Sequence, residues 1–151
     1  MGKNNIEKIA IDYFNSGFSC SESVLLSLVE EMNIKCLYIP KIAAGFGAGF
    51  GRHGEVCGAI TSAVMALGLK YGRSDGKDKE AKEKMYKIVY DFIKSFVKKF
   101  KNIRCIDLTG CNMLTPEGLK KVKEENVHTN ICTKLVAFAA KEAANELNLY
   151  I

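Results

Sequence analysis

The chain's 151 residues suffice for one domain with its own core, and 48% apolar with 26% charged residues is an ordinary globular composition. A net charge of +5, from 22 basic and 17 acidic residues, is too mild an excess to imply nucleic acid, and no RNA-stacking pattern accompanies it. No apolar run approaches the length of a membrane span, so neither nucleic acid nor a membrane is expected as a partner. The N-terminal residues lack the apolar centre of a signal peptide, and Ile6 stands where a myristoylation signal wants Ser or Thr. The expected compartment is therefore the cytoplasm, where six cysteines stay reduced unless they bind metal or do redox work.

Helical periodicity begins at once. Ile6, Ile9, Ala10, Tyr13 and Phe14 predict a helix over 4–15, ended by Gly17. Ser19 and Glu22 make a capping box that starts a second helix over 20–32 and puts Cys20 in its first turn. Residues 36–39 are short and apolar and suit a strand, but Pro40 favours the opening of a brief helix over 40–46. A glycine run then leads to a helix of small and apolar residues over 55–71, expected to be central to the core, with Gly72 as its C-cap. After a polar loop, residues 79–101 form a long amphipathic helix whose lysines are read as a solvated face. Residues 102–114 read as irregular. Thr115 and Pro116 open a helix to about 125, and Thr129 or Asn130 caps a last one over 131–147. The class is all-α: one domain over 1–151, a compact bundle of five or six helices with a Gly-rich loop before the central one.

The chemistry gathers on cysteine. Five glycines (Gly45, Gly47, Gly49, Gly51 and Gly54) run up to Cys57, which suits a main chain that must approach a neighbour closely. Cys20, Cys57 and Cys132 fall near predicted helix N-termini, where free amides and the helix dipole favour a thiolate. Cys105 and Cys111 share one irregular connection beside Arg104, whereas Cys36, in an apolar stretch, reads as a core residue. No Cys-x-x-Cys occurs, so a thioredoxin-like motif and a zinc ribbon are both missing. The two histidines, His53 and His128, each precede a cysteine by four, but neither pair is securely helical. Gly49-Phe-Gly51-Arg-His-Gly54 matches a dinucleotide fingerprint in letters only, because no strand precedes it and no βαβ unit surrounds it. Nor is there a nucleophile elbow or a placed Ser–His–Asp set.

The spaced set Cys20, then Cys57-Gly58-Ala59, then Cys105, then Cys132 resembles the family of small redox-active proteins whose signature is a cysteine, Cys-Gly-Ala-x-x-Gly and two further cysteines, the C_GCAxxG_C_C family. The likeness covers nearly the whole chain, with Met65-Ala-Leu-Gly-Leu-Lys-Tyr-Gly72 continuing the central motif. It implies a helical fold and a redox role. Gly54, Gly58 and Ser62, the last standing at the motif's final glycine, are read as cofactor-binding residues, and Cys111 is an alternative to Cys105. A related segment of split-Soret cytochromes c implies an iron–sulfur centre, although their haem-binding part has no counterpart in this chain.

Three functions follow. Cys20, Cys57, Cys105 and Cys132, with Cys111 in reserve, would ligate an iron–sulfur cluster or another metal for electron transfer or sensing, since four thiolates have the right number and softness. Alternatively, Cys57 would be the attacking thiolate of a thiol–disulfide oxidoreductase, resolved by Cys20 or Cys105. A helical interaction module with structural cysteines is the third. Each of the first two needs a redox partner that the sequence does not name. The small-residue helix would bury its faces within one chain or across a homodimer.

Overall fold

A computed structural model describes residues 5–150. Among them the chain is all-α, with eight helices and no strand: α1 Ile6–Asn15, α2 Cys20–Glu31, α3 Gly47–Phe50, α4 Gly58–Tyr71, α5 Lys79–Phe100, α6 Cys105–Thr109, α7 Pro116–Glu124 and α8 Thr133–Glu146. A 3-10 segment covers Lys41–Phe46 and a π turn His128–Cys132. The count exceeds the expected five or six because two short turns, α3 and α6, lie in stretches read as loop. Residue 4, the expected start of the first helix, lies outside the described residues.

The long elements form where capping and periodicity place them. Ser19 Oγ accepts the amide of Glu22 and the Glu22 carboxylate accepts the amide of Ser19, completing the capping box of α2. Thr115 Oγ1 accepts the amide of Gly118 at 3.0 Å, with Pro116 in the first turn of α7. Gly72 is the C-cap of α4, in extended rather than left-handed backbone. Residues 36–39 make a turn instead of a strand, ahead of a cis peptide bond between Ile39 and Pro40. Cys36 is correspondingly exposed and not a core residue.

The core lies where α4 is enclosed by α2, α5 and α8, with α1 covering α2 and α8. Ala59, Ala63 and Ala66 of α4 and Ala139, Ala140, Ala143 and Ala144 of α8 are fully buried, so the backbones come close; Phe92 and Phe96 of α5 fill the remaining volume. Along the rest of α5, Tyr86, Tyr90 and Val97 remain exposed. None of the helices among the described residues is long and apolar enough to cross a membrane.

Ser62 is the exception in this interior. It is fully buried in α4, yet its hydroxyl has no hydrogen-bond partner among the described residues, neither a sulfur nor a carbonyl. An unsatisfied buried hydroxyl carries a desolvation cost of about 1–3 kcal/mol. Ser62→Ala is accordingly expected to stabilise the protein by about 1 kcal/mol, read from the midpoint of urea unfolding.

Candidate functional site

The glycine run is folded into a strap that places Cys57 beside Cys105. Residues 54–57 lie antiparallel to 103–106. The amide of Cys57 donates to Ile103 O at 2.8 Å, Cys105 N donates to Glu55 O at 2.7 Å, and Ile106 N donates to Gly54 O at 3.0 Å, around a single bridge between Val56 and Arg104. The Arg104–Glu55 ion pair at 3.3 Å decorates the outside of this pairing, where screening leaves it little weight. Gly54 has φ +70°, and a β-carbon there would meet Ile106 Cβ at 2.8 Å. It is thus a packing glycine that lets α6 approach.

Upstream, the chain makes a left-handed turn. Ala48, Gly49, Phe50, Gly51 and Arg52 all have positive φ, between +53° and +77°. Such torsions cost a non-glycine residue roughly 1–2 kcal/mol each. Hydrogen bonds from Gly51 N to Gly47 O, Gly54 N to Ala48 O and Glu55 N to Gly49 O hold the turn in place. The turn aims the Ala48 amide at the sulfur of Cys20.

Cys20 is the first residue of α2, Cys57 the N-cap of α4, and Cys105 the first residue of α6. Cys132 ends the π turn that runs directly into α8. Neither Thr129 nor Asn130 caps that helix: the helical path already begins at Val127, so Cys132 lies a turn inside it rather than among free amides. All six cysteines are free thiols. Cys20, Cys57, Cys105 and Cys132 line one cleft of ≈ 970 Å³, while Cys111 is buried behind it with Cys105, Met113, Val122 and Val127.

One sulfur differs electrostatically from the rest. Hydrogen bonding from the Cys57 thiol, then from the amides of Ala48, Ser21 and Gly58, lowers the Cys20 pKa to about 7 against the opposing effect of burial. Cys57 is driven up: it is the donor to Cys20, it is buried, and it sits beside the Cys20 charge, with only the Ala59 amide in its favour. Burial, then the Cys20 charge, pushes Cys105 up to about 11 despite its bond with Thr109. Burial and the same charge push Cys132 up to about 12. Position at a helix start is therefore insufficient; the lowered pKa falls on the sulfur that accepts the Cys57 thiol and three amides.

The motif glycine makes this convergence possible. A β-carbon on Gly58 would stand 2.7 Å from Cys20 Sγ, 2.8 Å from Phe46 O and 3.1 Å from Ser21 Cβ. Gly58 thus reaches Cys20 with its amide and leaves the space beside the sulfur that a side chain would fill. Ser62 lies a turn further along α4 and does not line the cleft. His53 is exposed and bonds Phe50 O through Nδ1, whereas His128 lines the cleft and packs edge-on against Phe14. Among the described residues, no three His, Cys, Asp or Glu side chains converge closely enough to hold a metal ion. The donors suit a thiolate-bound group in kind, but their spacing does not suit a single ion.

The fold and site define an all-helical protein with a thiol cluster in one cleft. The model of the family described as "Putative redox-active protein (C_GCAxxG_C_C)" matches residues 18–146, most of the chain, and the chain belongs to that family. No curated protein and no solved structure gives a match.

Proposed function

We propose that the protein is a thiol–disulfide redox protein whose working pair is Cys20 and Cys57, with Cys20 as the attacking thiolate. The observation that carries this is the contact between the two thiols, with the amides of Ala48, Ser21 and Gly58 gathered on Cys20. The roles expected from sequence are exchanged, because three amides face Cys20 and one faces Cys57. In the forward direction the Cys20 thiolate attacks one sulfur of a disulfide R–S–S–R. The mixed disulfide Cys20–S–S–R forms, and RS⁻ leaves and takes up a proton. Cys57 gives up its proton and attacks the Cys20 sulfur, releasing the second RS⁻. The protein loses two electrons and two protons, and the substrate becomes two thiols.

A second reading is favoured by a different observation: sulfurs from four separate elements line the same cleft. In it Cys20, Cys57, Cys105 and Cys132 hold a polynuclear iron–sulfur cluster, with Cys111 as a substitute ligand, for electron transfer or sensing. One preparation separates the two. Protein purified without oxygen is analysed for iron and labile sulfide, then oxidised with a disulfide and mapped by peptide mass spectrometry. The thiol reading expects no stoichiometric iron or sulfide and a Cys20–Cys57 bond that reductant reverses. Stoichiometric iron and sulfide, lost in each of the four cysteine-to-serine variants, would overturn it in favour of the cluster.

A further inference from the structure

The cleft over Cys20 has a charge pattern that thiol exchange alone does not use. Its walls are largely apolar, from Phe14, Phe18, Leu119 and Val122, and among the described residues its fixed charges are Arg52, Lys123 and Glu22. Glu22 is engaged: its carboxylate accepts the Ser19 amide and holds the start of α2. Arg52 and Lys123 are exposed, and among the described residues neither forms an ion pair. Arg52 is moreover held at φ +77°, at the end of the left-handed turn that supplies the Ala48 amide. The two cations come from distant parts of the chain, one from that turn and one from α7, and meet the same cleft.

Resting on the thiol–disulfide reading, we infer that the cleft selects a small organic disulfide bearing an anionic group such as a carboxylate, with Arg52 and Lys123 as the residues that bind that group. The volume suits a small molecule rather than a protein segment, being in the range of ordinary ligand pockets. A negatively charged substrate approaching the Cys20 thiolate is repelled unless cations offset that charge, and two unpaired cations at the cleft do so. The exchange is the one balanced above, with the anionic groups carried unchanged on the two thiols released.

The test compares three disulfides of similar size: dithiodiglycolate (anionic), hydroxyethyl disulfide (neutral) and cystamine (cationic). Each reacts with the reduced full chain under low salt, and thiol release is timed. Each rate is divided by that of free mercaptoethanol with the same disulfide, which removes intrinsic reactivity. The expected order is anionic, neutral, cationic, with the anionic compound favoured by about tenfold over the neutral one. Arg52→Gln with Lys123→Gln is expected to level the order, each rate being taken relative to that of the neutral compound with the same variant. Added potassium chloride should level it in the unmodified protein as well, a readout independent of whether the variant folds. A flat or reversed order, with all three compounds reacting at Cys20, overturns the substrate class and leaves the thiol reading standing. Failure of all three to oxidise Cys20, whether as a mixed disulfide or as its bond to Cys57, overturns both.

Discussion

Iodoacetamide is expected to modify Cys20 ahead of the other thiols lining the cleft, with an apparent pKa of about 7. At neutral pH about half of such a thiol is ionised, against roughly one per cent of a thiol two units higher, and the lower basicity returns part of that gain. The net advantage over an unperturbed cysteine is about fivefold, and over Cys132 about two orders of magnitude or more. The measurement is the pH profile of modification at each cysteine, followed by mass spectrometry under reducing conditions. In Cys20→Ser the limb near pH 7 should vanish. A limb near pH 7 assigned to Cys57 in the unmodified protein would return the thiolate to the position expected from sequence.

The same thiols set the pH dependence of stability. Cys20 has a folded pKa below its unfolded value, so its contribution is present above the unfolded pKa and lost as pH falls through about 7. Cys105 and Cys132 act in the opposite sense, since their folded values are raised to about 11 and about 12. Their contribution is present below the unfolded thiol pKa and lost as pH rises toward those values. Tyr13 and Tyr150, also raised, add to the alkaline loss. Urea unfolding in the presence of reductant should therefore show greatest stability between about pH 7 and pH 9.

Gly58→Ala is the substitution with the largest expected effect on the site. Its new methyl group would press on Cys20 Sγ, on a carbonyl and on the first turn of α2 together, so no single flexible side chain can yield. The most extensive helix pair in the fold, α2 against α4, would have to open at its sulfur end. A loss of about 2 kcal/mol in urea unfolding is expected, within the usual range for overpacking. The Cys20 titration should move up toward the ordinary thiol range as the Gly58 and Ala48 amides draw away. Gly45→Ala is the control: a β-carbon there meets open space, and both readouts should be unchanged. An unaltered Cys20 profile in Gly58→Ala would show that the amide cluster does not depend on this close approach.

Much of the frame was legible because its signals are local. The capping box at Ser19, the Thr115-Pro116 start and the apolar stripe of α5 each act within a turn or two of chain. Cys20, Cys57, Cys105 and Cys132 line one cleft, although no short motif joins them. What escaped was long-range or conformational. The pairing of 54–57 with 103–106 spans nearly fifty residues and offers no periodicity to read. The left-handed turn was signalled only by its glycines, with Ala48, Phe50 and Arg52 drawn in by tertiary hydrogen bonds. The Cys132 cap failed because the π turn continues the helix backward past Thr129, leaving no free helix start for that sulfur.

The Cys20 charge raises the pKa of Cys57, Cys105 and Cys132 at once. At Cys105 and Cys132 burial is the larger cause, so the Cys20 charge adds to a rise that burial already imposes. Once Cys20 is spent in a covalent bond, the repulsion it exerted disappears, and the remaining thiols ionise more readily than before. In the proposed exchange the effect falls on Cys57: bonding Cys20 removes both the charge beside it and the claim on its proton, so the first step favours the second.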